Sequence, residues 1–85
     1  MEDVKGAKEE VTGTVESVVY RNEQNGYTIL EVSTEKKTIV TVVGTMPFVS
    51  EGESITARGS YVTHSEYGRQ FKADSFEKRI PEQPD

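Results

Sequence analysis

Five short segments of this chain alternate apolar and polar residues with a period of two, and none follows the 3.6-residue period of a helix. Side chains of a β-strand point to opposite faces in turn, so the alternation indicates strands. Asn25-Gly26, between the first two segments, is a strong turn signal. The pattern predicts an all-β chain whose strands cover 11–20, 27–34, 38–45, 54–63 and 69–79.

The composition agrees with this pattern. The 85 residues include eleven Val, four Ile and nine Thr, against one Leu and three Ala. β-branched side chains favour strands, and the length allows one small domain. There is no cysteine, which excludes disulfides and thiolate metal sites. No apolar run approaches the ~18 residues of a membrane span, and no signal peptide is present, so we expect a cytoplasmic protein with no membrane contact.

Five strands fit either a five-stranded Greek-key barrel of the OB type or an SH3-like barrel. Gly13 and Gly59 stand inside the long first and fourth strands, and they favour the OB type because glycine lets a strand coil around a small barrel. The longest interruption, 46–53, has room for only a short loop or a single helical turn between the third and fourth strands. A change in apolar spacing predicts a bulge near Ser75.

The charge distribution suggests the domain limits. Of the net charge of −5, residues 1–10 and 80–85 carry −2 each, which leaves −1 on 11–79. We predict a disordered acidic tail over 1–10, the OB-like barrel over 11–80 and the start of a linker over 81–85. A strongly basic nucleic-acid binder would show a different balance.

The inward positions of the strands predict the core. The third strand is apolar on both faces around Val42 and is expected to be central. A small barrel also needs aromatic rings to fill its ends, which favours a core role for Tyr27, Tyr61 and Phe76. The predicted buried set is Val15, Val19, Leu30, Val32, Val40, Val42, Ile55, Ala57 and Phe71.

The candidate functional residues are aromatic and basic. One His, no Cys and no glycine-rich phosphate loop leave no catalytic residue, metal site or cofactor site to predict in this chain. Single-stranded nucleic acid needs flat side chains for its bases and cations for its phosphates. In an OB barrel the connections at 21–26 and 64–68 are expected on one side, bordering the ligand face. The candidates there are Tyr20, Arg21, His64, Tyr67, Arg69 and Lys72.

Two strings carry a family resemblance: Tyr20-Arg21-Asn22-Glu23-Gln24-Asn25-Gly26-Tyr27-Thr28-Ile29-Leu30, and His64 followed by Tyr67-Gly68-Arg69-Gln70-Phe71. They resemble the N-terminal OB-like domain of RecD-like ATP-dependent DNA helicases, the exodeoxyribonuclease V alpha subunit family, over about residues 11–81. The resemblance implies a bacterial parent helicase of DNA repair and recombination that moves 5′ to 3′ and hydrolyses ATP with Mg²⁺. Its motor domains would lie outside this chain.

Two functions follow as hypotheses. The domain contacts or guides single-stranded DNA for the motor, through the six candidates above. Alternatively, it is a docking module without direct DNA binding, packed on the helicase body or on a partner such as single-stranded DNA-binding protein. The near-neutral barrel supports the second hypothesis, because phosphate affinity comes chiefly from cations.

Overall fold

The computed structural model describes residues 9–66 and 68–79, all of them in strands and short connections. The strands are β1 (Glu9–Arg21), β2 (Tyr27–Thr34), β3 (Ile39–Thr45), β4 (Ser54–His64) and β5 (Gly68–Arg79). All five predicted strands are confirmed, and β1 begins at Glu9, so that residues 9 and 10 belong to the sheet instead of the tail. The predictions for 1–8, Tyr67 and 80–85 fall outside the described residues. In the described part no helix is long and apolar enough to cross a membrane.

The strands form a closed barrel in the order β1-β2-β3-β5-β4, and β1 pairs with β4 to close it. All neighbours are antiparallel except β3 and β5, which are parallel and share only the pairs Val42–Phe71 and Val43–Lys72. β1 is long enough to form hydrogen-bonded pairs with both β2 and β4. This arrangement confirms the predicted small OB-like barrel.

Gly13 and Gly59 are required where neighbouring strands come very close. A Cβ on Gly13 would lie 2.2 Å from the carbonyl oxygen of Ser33, and one on Gly59 would lie 1.9 Å from that of Lys72. No side chain fits at such distances without moving the neighbouring strand. The two glycines therefore act by letting backbones approach, at the points where the long strands curve around the barrel.

The predicted bulge in β5 is confirmed. The β4–β5 pairing steps from Arg58–Ser75 to Gly59–Ala73, which leaves Asp74 as the extra residue. A bulge of this kind bends its strand and increases the local twist. The bend at Asp74 therefore helps a strand as long as β5 to follow the barrel wall.

Two further bulges in β1 change which side chains reach the core. The β1–β2 register shifts between Val15 and Ser17 and again between Val18 and Tyr20. After the first shift Val18 packs against the core, and Val19, the extra residue of the second shift, is 57% exposed. The prediction that Val19 is buried is therefore wrong, because strict alternation does not survive a bulge.

The rest of the predicted core is largely confirmed. Val40 is half-buried and packs against the cluster instead of lying within it. Tyr61 and Phe76 are also half-buried against the cluster, whereas Tyr27 is 39% exposed and does not fill the barrel. Seven predicted residues are at most 1% exposed: Val15, Leu30, Val32, Val42, Ile55, Ala57 and Phe71.

The connection 46–53 is a loop without a helix. Its apolar side chains Met46 and Val49 are fully buried and close one end of the barrel. Its later part is tied to β1: the Gly52 N–H donates to the carbonyl oxygen of Val15 at 2.9 Å, and the Val15 N–H donates to that of Glu53 at 2.8 Å. The loop thus takes the place that a helix occupies in larger OB barrels.

Candidate nucleic-acid interface

The turn between β1 and β2 is built by its own polar side chains. Asn22 Oδ1 accepts hydrogen bonds from the backbone N–H groups of Gln24 (2.8 Å) and Asn25 (3.3 Å). Asn25 Oδ1 accepts one from the N–H of Tyr27 at 2.9 Å. Gly26 closes the turn with a φ of 80°, a conformation that favours glycine. Much of the first motif is therefore explained by turn formation.

Arg21 covers the end of the barrel that carries the β1–β2 turn. Its pair partner in β2, Thr28, is fully buried, and the Thr28 hydroxyl lies 2.9 Å from the carbonyl oxygen of Gly26 and 3.2 Å from that of Met46. Arg21 Nε lies 3.4 Å from Thr28 Oγ1, and Nη2 donates to the carbonyl oxygens of Met46 (3.5 Å) and Val49. The guanidinium therefore ties β1 to the loop 46–53, and its donors are directed at carbonyl groups of the protein itself.

The strand directions separate the two connections that were expected on one side. Tyr27 pairs with Thr45, so the β1–β2 turn stands at the Thr45 end of β3. β5 runs parallel to β3 and reaches it where Phe71 meets Val42, so the β4–β5 connection approaches from the Ile39 end. The two connections, 21–26 and 64–68, therefore lie at opposite ends of the barrel, and the expectation that they lie together is wrong. The reason is that the strands before them, β1 and β4, run in opposite directions.

A row of four side chains instead crosses the outside of the barrel. Tyr20 pairs with Ile29, Ile29 with Val43, and Val43 with Lys72, on the neighbouring strands β1, β2, β3 and β5. Leu30, next to Ile29 in β2, is fully buried, so alternation places this row on the outer face. We call these four residues the outer row. At about 4.8 Å between strands it spans roughly 14 Å.

The outer row and the residues beside it offer two exposed rings and little charge. Tyr20 is 47% exposed, and Tyr27, two residues from Ile29 on the same face of β2, is 39% exposed. Lys72 adds one exposed cation at the far end. Glu31 lies on the same face of β2 and accepts a hydrogen bond from Ser17 Oγ at 3.1 Å. The face can therefore stack planar groups but neutralises few phosphates.

Arg69 stands on the opposite face of the β4–β5 hairpin from Lys72. Its guanidinium carbon lies 4.1 Å from the ring centroid of Tyr61. Tyr61 in turn meets Phe71 edge to face, with centroids 5.0 Å apart and planes at 76°. Since β5 is regular between Arg69 and Lys72, alternation directs these two cations to different sides.

The remaining candidates lie away from the outer row or outside the description. His64 Nδ1 accepts the backbone N–H of Glu66 at 3.0 Å, within the β4–β5 connection. Tyr67 is not among the described residues. Of the six candidates the structure thus brings Tyr20 and Lys72 into one row and leaves Arg21 and Arg69 elsewhere. Any role of these six residues in binding DNA stays a prediction.

The sequence reasoning missed Ile29 and Val43 and misassigned Tyr27, although the alternation of β2 contained the signal. Leu30 faces the core, so Tyr27 and Ile29 must face outward. Val43 was harder to place, because it is only 5% exposed while lying outside the core cluster. Its neighbours Ile29 and Lys72 flank it on the outer face.

The β1–β2 turn and the loop 46–53 carry three acidic residues and no basic one, while Arg21 and Lys78 reach this end of the barrel from the strands. The charged residues of these two connections are Glu23, Glu51 and Glu53. Glu53 Oε1 accepts the Ser50 N–H at 3.0 Å and lies 3.5 Å from Lys78 Nζ. The backbone hydrogen bond, with Lys78 as a weaker contributor, holds the pKa of Glu53 below its usual value.

Together these observations define a small OB-fold domain whose outer sheet face presents Tyr20, Tyr27 and Lys72. Within the described ranges no group of three or more His, Cys, Asp or Glu could hold a metal ion. Comparison with known families gives a match over residues 8–81 to the OB-fold domain of the ATP-dependent DNA helicase YrrC. The chain belongs to this family, which confirms the RecD-like helicase resemblance of its two motifs.

Proposed function

We propose that this domain contacts single-stranded DNA beside the motor of its helicase, and that the outer row is the contact surface. The observation that carries the proposal is the alignment of Tyr20, Ile29, Val43 and Lys72 across four strands. Bases stack on exposed rings with little regard to sequence, and a single cation holds a passing phosphate without fixing it. Such a surface guides a strand instead of anchoring it.

The same proposal covers the parent enzyme. By resemblance, the parent moves 5′ to 3′ on single-stranded DNA in the bacterial cytoplasm, in repair and recombination, with ATP and Mg²⁺ held by its motor domains. This chain has no GxxxxGK[ST] loop, so its residues do not fit those cofactors. Its part in the reaction is therefore limited to binding and orienting the strand.

The structure lowers the expected salt dependence of DNA binding. With Arg21 directed at carbonyl groups and Arg69 on the opposite face, Lys72 is the main cation of the outer row. One or two neutralised phosphates give a slope of log K against log salt of about −1. Stacking on Tyr20 or Tyr27 adds about 1–3 kcal/mol per base. We expect a dissociation constant no tighter than tens of micromolar.

The test is fluorescence anisotropy of labelled oligo-dT titrated with the domain at about 20 mM salt, where screening is weak. Tyr20→Ala combined with Lys72→Glu should abolish binding, whereas Arg69→Glu, on the other face, should change it less than twofold. Glu31→Lys adds a cation to the outer face and should tighten binding severalfold, a gain that misfolding cannot produce. No binding by the parent domain at millimolar concentration would overturn the proposal, as would binding lost only in Arg69→Glu.

The docking hypothesis is favoured by a different surface. Phe48 is 76% exposed on the loop 46–53, at the end of the barrel that carries the β1–β2 turn. A docking role for this surface does not depend on the DNA proposal.

A further inference from the structure

Phe48 has a large apolar side chain that packs little against the core of this domain. The residue is 76% exposed, while Met46 and Val49 in the same turn are fully buried. Burying such a ring against a partner removes a large apolar area from water. Burial of Phe48 against another surface would therefore contribute a large favourable free energy.

The turn that carries Phe48 is held from several directions. The Val49 N–H donates to the carbonyl oxygen of Met46 at 3.4 Å, and Pro47 presets the backbone at the second position of this turn. Pro47 also lies against Gly26 of the neighbouring turn. Arg21 holds the carbonyl groups of both Met46 and Val49. A ring presented by a backbone fixed in this way loses little conformational entropy on binding.

The charges around Phe48 select the class of partner. Glu51 and Glu53 follow it in the same loop, and Glu23 lies on the adjoining turn. Lys78 lies 3.5 Å from Glu53 and Arg21 holds the same loop, so the excess of negative charge at this end is small and comes from Glu23 and Glu51. These two carboxylates disfavour the phosphates of DNA and favour a protein surface with Lys or Arg around an apolar pocket. One ring is too small for a stable complex between separate molecules, but it is sufficient when a covalent tether keeps the local concentration in the millimolar range.

We propose that the Phe48 turn is the docking anchor that seats this OB domain on the motor body of the YrrC-type helicase. The partner surface is an apolar pocket flanked by basic side chains. The outer row borders this end at Tyr20, whose hydroxyl lies 3.4 Å from Asn22 Nδ2, and from there it runs across β2, β3 and β5 to Lys72, where DNA can still reach it. The domain is thereby held at a fixed orientation beside the motor.

The experiment is photo-crosslinking in a full-length YrrC-type helicase that carries this domain, with p-benzoylphenylalanine in place of Phe48. The matched control places the same group at Ile39, which is 52% exposed at the other end of β3. We expect crosslinks from position 48 to the helicase body, next to Lys or Arg, in roughly tenfold greater yield than from position 39. Glu23→Lys should lower that yield severalfold, and raised salt should do the same.

The isolated domain supplies the folding control. Phe48→Ser should melt within about 2 °C of the parent domain, because an exposed ring adds little to stability. Equal yields at positions 48 and 39, crosslinks mainly to DNA or to a second copy, or no crosslink at all would each overturn the proposal. DNA binding by the isolated domain is measured separately, so failure of the outer row and failure of the Phe48 anchor are distinguishable.

Discussion

Replacing Arg21 by Ala should destabilise the domain and leave the outer row intact. The guanidinium makes three contacts at the barrel end, with Thr28 Oγ1 and with the carbonyl oxygens of Met46 and Val49. Hydrogen bonds to a charged group are worth about 1.5–3 kcal/mol each when well formed. The Thr28 and Met46 contacts, at 3.4 and 3.5 Å, are long and all three contacts are only partly buried, so together they count as about one well-formed bond. The sum is about 2–3 kcal/mol.

A loss of this size is easily measured. For a domain of this length 1 kcal/mol corresponds to about 4–8 °C in Tm, so Arg21→Ala should melt about 10–20 °C below the parent in circular dichroism. Arg21→Lys keeps the charge but cannot reach three acceptors with one ammonium group, and it should recover less than half of the loss. Oligo-dT affinity, measured well below both melting temperatures, should be unchanged in either variant. Melting of Arg21→Ala within 2 °C of the parent, together with weakened DNA binding, would refute the structural role and restore the phosphate contact predicted from sequence.

Three further outcomes test the fold. Gly59→Ala should cost about 3 kcal/mol or prevent folding, since its Cβ would lie 1.9 Å from the Lys72 carbonyl oxygen; a normal urea midpoint would contradict this packing. Val15→Ala should lower the free energy of unfolding by about 2 kcal/mol and Val19→Ala by less than about 0.5 kcal/mol. Equal melting temperatures of the two variants would contradict the assigned positions of the β1 bulges. The lowered pKa of Glu53 contributes stability that is present above the usual Glu value of about 4.3 and is lost as the pH falls through the folded value. Glu53→Gln should therefore flatten the acid limb of the stability curve, measured by urea midpoints from about pH 6 to 3, and an unchanged limb would exclude this contribution.

The strands were predictable because their signal is local. In β2 every even residue from Thr28 to Val32 is buried, and the alternation is visible in the sequence. The same reasoning fails at two points in β1. The bulges before Ser17 and Tyr20 change which side chains face inward, and no glycine or proline marks them in the sequence. A bulge depends on how the partner strand must bend, which is information carried elsewhere in the chain.

The candidate site was less predictable, for a related reason. Arg21 looked like a phosphate ligand because it stands beside an aromatic residue and a polar turn, yet its acceptors Met46 and Val49 lie 25 and 28 residues further along the chain. Likewise, Tyr20 and Lys72 meet in one row only through three successive strand pairings. The register between distant strands decides which cations share a face, and this register cannot be predicted from local composition.

Charge reversal at two acidic positions separates the two proposed surfaces. Glu31 lies on the outer face and Glu23 at the barrel end near Phe48, and neither makes a contact with a charged partner in the described structure that its replacement would break. Glu31→Lys should therefore tighten oligo-dT binding severalfold and leave the crosslink from position 48 unchanged. Glu23→Lys should weaken that crosslink and change the anisotropy titration less than twofold. If both reversals move both readouts together, DNA and the helicase body share one surface of this barrel, and the assignment of strand faces to DNA and the barrel end to docking is wrong.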